Sequence, residues 1–202
     1  MKNFYLILSC CALFSLTAHS ENFSGDDFNG AWESDGGNQK VQPVGWHALS
    51  CNASGVFGSM KGGTVTKGGE ESDSSPIIEN IFAGSKGSWM TTGYVIPGIL
   101  SLGNPWIYVD TNYFTAAKGD LGVDGGVEFT GRPSKITFKA QYYNAPTSDI
   151  DDAAHIKVYL WKGSAESTDK SGANHTDEMS AVLAGNAGAT LIGSGELTID
   201  ND

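Results

Sequence analysis

The residues with the clearest chemical potential are aromatic. Trp46, Trp89, Trp106, Tyr143, Tyr159 and Trp161 are spread along a chain of 202 residues, among many Asn, Asp, Ser and Gly. A sugar ring presents apolar C–H faces ringed by hydroxyls, so a site for one needs exposed π faces with amides and carboxylates alongside. Tyr143, Tyr159 and Trp161 fall on the polar side of two alternating segments, with Lys139, Gln141 and His155 nearby. They either form such a platform or pack beneath a loop or second layer, as tryptophan does on average. Trp46, Trp89, Trp106 and Tyr113 fall at loop or strand ends, where binding residues sit when a site lies at a sandwich edge.

Carboxylates are the second group. Asp149, Asp151 and Asp152, with the Ser148 hydroxyl, offer the hard oxygen ligands that calcium takes. The alternative is a solvated turn capping strand ends, and the same two readings apply to Asp120 and Asp124. The EF-hand pattern is absent. So are the Gly-x-Ser-x-Gly elbow, the His-Glu-x-x-His zinc helix and the Gly-x-x-x-x-Gly-Lys phosphate loop. His47 precedes Cys51 by four residues, a spacing that carries no information because catalytic pairing is spatial. Glu128 lies between Val127 and Phe129, and by alternation it faces solvent. Glycoside hydrolysis needs two carboxylates across a cleft, and no spacing in this sequence singles out a pair. An enzyme, if it is one, would be a glycoside hydrolase.

The elements that must position these groups read as β-strands. Short β-branched or aromatic runs are separated by Gly, Asn, Asp and Ser clusters, the pattern of a sandwich. The clearest alternation runs from Lys135 to Tyr143, with Ile136, Phe138, Ala140 and Tyr142 on one face. His155 to Trp161 repeats it, with Ile156, Val158 and Leu160 inward and Tyr159 and Trp161 outward. The Pro- and Asp-bearing stretch between them predicts a turn joining an antiparallel pair. Further strands are expected at 77–82, 89–96, 106–110, 126–130 and 189–199. One short helix is expected at 176–184, with Thr176 as N-cap and Gly185 just beyond the last turn. The Gly- and Ser-rich stretch 58–75 predicts an exposed loop. The fold class is therefore all-β: a jelly-roll sandwich of two antiparallel sheets with one short decorating helix. The strand ending near Asp200 is either an edge strand or part of a domain cut short at its C-terminus.

The first 20 residues have the basic, apolar and small-residue regions of a secretory leader, with cleavage expected after Ser20. A second processing route is a lipid anchor at Cys10 or Cys11, where Leu8-Ser9-Cys10 resembles a lipobox. Residues 21–202 then form one domain, exported to the periplasm, the cell surface or the medium. Leader removal takes Lys2 and no acidic residue, so the formal net charge moves from −11 to −12. With Arg132 the single arginine, nucleic acid is an unsuitable partner. Cys51 is the one cysteine left after cleavage at Ser20, so stability rests on the core rather than on disulfides. No segment beyond the leader has the length of a membrane-spanning helix.

One stretch carries a resemblance. Phe129-Thr130-Gly131-Arg132-Pro133 leads into a Tyr-rich segment ending Tyr142-Tyr143-Asn144-Ala145-Pro146. These resemble the Phe-x-x-Arg-Pro and Tyr-Lys-Tyr-x-Pro elements of a carbohydrate metabolism domain family of exported Bacteroidetes proteins, with Asn144 replacing the second Tyr. Asp27-Phe28-Asn29 through Trp32, then Pro43-Val44-Gly45-Trp46, resembles the opening elements of the same family. The likeness runs from about Asp26 to Ile199. It implies a jelly roll related to carbohydrate-binding modules, linked to polysaccharide utilisation, with no established catalytic residues to carry over. It also implies further strands after Ile199. Independently of the family, Pro133 biases Arg132 towards an extended conformation, aiming its guanidinium at a turn carboxylate such as Asp149 or Asp152, or at a ligand acid. The expected function is non-catalytic glycan binding with no required cofactor, calcium being optional. The alternatives are an adhesion or structural domain contacting protein, and a jelly-roll glycoside hydrolase.

Overall fold

The structure, a computed structural model, describes residues 28–34, 41–55, 58–70, 73–86, 91–109, 119–131, 133, 135–143, 153–165 and 188–199. The strands are β1 (Trp32–Ser34), β2 (Val41–Pro43), β3 (His47–Ala48), β4 (Ser50–Gly55), β5 (Gly58–Gly63), β6 (Val65–Glu70) and β7 (Asp73–Ile78). They continue with β8 (Ile81–Lys86), β9 (Thr91–Ile96), β10 (Leu100–Ser101), β11 (Asn104–Val109), β12 (Gly119–Asp124), β13 (Ala154–Gly163) and β14 (Ala189–Ile199). The described residues are thus all-β, without a helix. Chain neighbours pair antiparallel: β1 with β2, β4 with β5, β6 with β7, β8 with β9, β11 with β12 and β13 with β14, while β3 pairs with β10. Among the described residues every sheet is a two-stranded ladder. Pro43, Pro76 and Pro105 therefore sit within strands without breaking a ladder.

The hairpins meet at their bases. The Leu49 N–H donates to the Ile99 carbonyl (2.9 Å), the Thr64 N–H to the Leu49 carbonyl (3.2 Å) and the Glu79 N–H to the Thr64 carbonyl (2.9 Å). The Thr64 hydroxyl donates to the Leu49 carbonyl (2.9 Å) and accepts the Ile99 N–H (3.3 Å). The Asn80 side chain adds a bond from the Gly98 N–H (2.9 Å). Around this junction Leu49, Cys51 and Ile96 form a buried cluster, with Ile81, Ile99 and Ile107 packed against it. Leu49, Thr64, Val65 and Ile96 are each 1% exposed. Removing an aliphatic side chain of this size from water contributes about 1.5–3 kcal/mol.

A second cluster centres on buried Ala165, with Val123, Tyr159, Trp161 and Ala189 around it. Gly125 N–H donates to the Ala165 carbonyl (3.2 Å), tying the end of β12 to the end of β13. The β13–β14 ladder slips by one residue between Leu160 and Trp161, so Trp161 pairs with Leu191 while Leu160 pairs with Gly193. Ile192 is the extra residue of this bulge, which strengthens the twist of the ribbon.

Several sequence expectations are corrected. Residues 58–75 are not an exposed loop but contain β5, β6 and the first half of β7. Their glycines serve close approach: a Cβ on Gly62 would collide with the Ile81 side chain, and one on Gly68 would lie 2.8 Å from Ile77 Cδ1. The strand expected at 77–82 is split between β7 and β8 by the junction residues Glu79 and Asn80. The strand expected at 126–130 is absent, and β12 lies just before it, on the segment carrying Asp120 and Asp124. Residues 135–143 belong to no strand, and the ladder partner of β13 is β14. The strands at 91–96, 104–109, 154–163 and 189–199 fall close to the runs expected at 89–96, 106–110, 155–161 and 189–199. The helix expected at 176–184 lies outside the described residues.

Thr64→Val keeps the shape of the side chain but leaves the half-buried Ile99 N–H without its acceptor. It should destabilise the fold by about 1–3 kcal/mol, seen as a lower urea midpoint at unchanged slope. Thr64→Ser, which keeps the hydroxyl, should retain most of that stability.

Candidate functional site

Alternation along β11 and β12 separates two chemistries. Ile107 packs against the first core cluster and Val123 against the second, so the face carrying Pro105, Ile107, Leu121 and Val123 looks inward. The other face carries Asn104, Trp106 and Tyr108, paired in register with Asp124, Gly122 and Asp120. Asn104 is exposed, Trp106 and Asp124 are half-buried, and Tyr108 is 40% exposed. Gly122 stands across from Trp106 and presents no side chain beside the indole. Trp106 and Tyr108 are two residues apart, roughly 7 Å along the strand. An indole, a phenol, an amide and a carboxylate are therefore held on one rigid hairpin whose other side is anchored in both cores. Tyr108 and Asn104 were not singled out from the sequence, although the alternation Asn104-Pro105-Trp106-Ile107-Tyr108 carries the signal.

Trp46 occupies a different corner. The Pro43–Trp46 turn is closed by the Trp46 N–H donating to the Pro43 carbonyl (3.0 Å), with Gly45 at φ 89°. That conformation belongs to the third position of a type II turn and suits glycine. The Trp46 ring packs against Phe28, centroids 5.2 Å apart and planes tilted by 47°. Phe28 itself has φ 57°, an uncommon conformation for an aromatic residue. Its carbonyl accepts the Trp32 indole N–H (3.1 Å) and the Ser74 hydroxyl (2.6 Å), while Asn29 Oδ1 accepts the Ser74 N–H (3.0 Å). Lys67 Nζ lies 5.8 Å from the Trp32 ring centroid, within cation–π range. Buried Gln42 completes the corner, its amide donating to Glu33 and its carbonyl accepting the Ala48 N–H (3.0 Å). These bonds clamp the chain before β1 onto β7.

Tyr159 and Trp161 are half-buried members of the second core cluster, so of the two readings of this pair the structure favours packing beneath a neighbouring layer over an open platform. The reason is the hairpin β11–β12, whose Val123 covers that side of β13. Gly126 lies against the Trp161 ring, where a Cβ would come 2.9 Å from Cη2. Tyr143 is 81% exposed, and its hydroxyl donates to Gln141 Oε1 (3.2 Å). On the side of β13 shared with Tyr159, His155 Nδ1 and Lys157 Nζ lie 3.7 and 3.9 Å from Glu196 Oε1, and Thr198 Oγ1 lies 3.2 Å from His155 Nδ1. These contacts are solvent-exposed and add little to stability.

Trp89, Tyr113, Arg132, Asp149, Asp151 and Asp152 lie outside the described residues. Among the described residues no group of three or more His, Cys, Asp or Glu is arranged to hold a metal ion. Asp120 and Asp124 are four residues apart on β12, roughly 13 Å between backbones. Cys51 is a buried part of the core, where its sulfur supplies apolar volume. Glu128 is exposed, as alternation predicts. No helix among the described residues is long and apolar enough to cross a membrane. No protein-family model, curated protein or solved structure matches the chain.

Since Trp161 packs inside, Trp161→Ala should act on the fold. We expect a loss of about 2–3 kcal/mol, below the roughly 3–5 typical of fully buried aromatics because the ring is half-buried, measured by urea unfolding.

Proposed function

We propose that the chain is a non-catalytic glycan-binding module of an exported bacterial protein, with a polysaccharide or oligosaccharide as its ligand. The observation that carries this reading is the outward face of β11–β12, where Trp106 and Tyr108 stand in line with Asn104 and Asp124. A sugar ring stacked on either aromatic gains the contact of an apolar face with a π surface, and the amide and carboxylate are of the types that bind its hydroxyls. Strands rather than loops hold these groups, so little conformational entropy is lost on binding.

The reading extends to features that stand on sequence alone. Export through residues 1–20, with cleavage after Ser20 or lipid attachment at Cys10 or Cys11, would deliver the module to the periplasm or cell surface. The proposed architecture is a jelly-roll sandwich into which the two-stranded units assemble. The resemblance to the Bacteroidetes carbohydrate metabolism domain family and its link to polysaccharide utilisation enter through short motifs, since no family model matches. Calcium remains an optional ligand of Asp149, Asp151 and Asp152. A second reading, contact with another protein, draws on exposed Ile77, Ile78, Phe82 and Val95.

A glycan-array screen of residues 21–202 with calcium present tests the proposal. Selective binding should fall at least about tenfold in Trp106→Ala, a loss of about 1.4 kcal/mol, with smaller losses in Tyr108→Ala and Asn104→Ala and an unchanged circular dichroism spectrum. Silence of the folded chain across plant, host and microbial glycans sinks the reading and brings the protein-contact alternative forward.

A further inference from the structure

We infer that Asn29 is a site of spontaneous covalent modification, its side chain cyclising with the Gly30 backbone nitrogen and reopening in water as aspartate or isoaspartate. Asn29-Gly30 is the single Asn-Gly pair in the chain. Both residues are exposed, and a Cβ built on Gly30 would meet nothing within 4 Å, so the room that ring closure needs is open. Gly30 also lies ahead of the β1–β2 ladder, which begins at Trp32.

Asn29 Oδ1 already accepts the Ser74 N–H (3.0 Å). That donor is aimed at the oxygen on which negative charge gathers when a nucleophile attacks Cγ. The Gly30 N–H gives its proton to solvent, the N–Cγ bond forms, and the Cγ–Nδ2 bond breaks to release ammonia, which takes a proton back. Water then opens the cyclic imide at Cγ to give aspartate, or at the backbone carbonyl to give isoaspartate. Water is the only co-reactant. Asp124-Gly125 has a related sequence, but its Gly125 N–H is committed to the Ala165 carbonyl (3.2 Å) and an ionised carboxylate is a poor electrophile.

The two products differ at the clamp between the chain before β1 and β7. Aspartate keeps an oxygen where the Ser74 N–H needs one. Isoaspartate adds a methylene to the backbone and shortens the side chain, which withdraws that oxygen. Ser74 is 4% exposed, so its N–H is then left buried without an acceptor. The adjacent Phe28 carbonyl, which accepts the Ser74 hydroxyl and the Trp32 indole N–H, shifts with the lengthened backbone. Modification therefore releases the entry to β1 from β7. It involves no residue of the β11–β12 face and stands independently of the glycan reading.

Incubation of residues 21–202 at mildly alkaline pH, followed by peptide mapping, tests the inference. Asn29 should convert ahead of every other asparagine, with isoaspartate among the products. Gly30→Ala, which the open space and the absence of a positive φ accommodate, should lose most of this conversion because the added methyl hinders ring closure. In the isoaspartate form the Ser74 amide should exchange at least about tenfold faster, whereas Asn29→Asp should leave it protected. Another asparagine reacting first, or equal conversion in Gly30→Ala, overturns the modification site. Unchanged Ser74 exchange in the isoaspartate form overturns the release. Mapping of the unsubstituted chain decides the site even where Gly30→Ala fails to fold.

Discussion

The Thr64 hydroxyl has almost no access to water, and both its donor and its acceptor capacity are spent on the carbonyl of Leu49 and the amide of Ile99. Its own N–H and C=O reach Leu49 and Glu79. One residue therefore holds the roots of three successive hairpins and the segment that leads into β10. A buried polar group is costly when unpaired and modestly stabilising when paired. The junction is thus a constraint on geometry as much as a source of stability: the hairpins are held at the angles that satisfy this residue. The aliphatic cluster of Leu49, Cys51 and Ile96 then fills the space that those angles leave.

From this junction the position of the outward aromatic face follows. Ile107 seats β11 against the first cluster, and Val123 seats β12 against the second. With its inward residues fixed at both ends, a strand of period two has no freedom about where its other residues point. Trp106 and Tyr108 face away from the cores because Ile107 between them is committed inward. The same commitment explains why Trp161 is lost as a surface residue. Val123 needs an apolar neighbour, and β13 presents its aromatic side to it.

How much of this was legible in the sequence depended on what fixed each element. Strand 154–163 was readable because its apolar and polar residues alternate, and 104–109 and 189–199 because they carry β-branched or aromatic runs. The stretch 58–75 misled because glycine signals a turn where nothing leans on it, yet Gly62 and Gly68 are small to admit Ile81 and Ile77. No local pattern distinguishes those two uses. Lys135–Tyr143 misled in the opposite sense: its alternation is the cleanest in the chain, but pairing also requires an edge, and edges belong to tertiary structure. Among site residues, Trp106 was visible as an aromatic near a strand end. Its partnership with Tyr108 and Asn104 became apparent once Ile107 was placed in the core. Trp161 was left between two readings since periodicity gives two faces without saying which one a neighbour will cover.

The charge of the molecule narrows what the β11–β12 face can hold. A chain carrying a formal charge of −11 repels polyanions at long range, and the aromatic face adds Asp124 in its own register without a lysine or arginine on either strand. On the proposed glycan reading, an acidic sugar there would bring a second carboxylate close to Asp124, and like charges disfavour each other. A neutral sugar meets no such penalty. Its hydroxyls can donate to Asp124 and accept from the Asn104 amide, and its C–H face can cover the indole. Selection by this surface would then rest on the shape and hydroxyl orientation of uncharged rings, because those are the features a line of two aromatics, one amide and one carboxylate can tell apart.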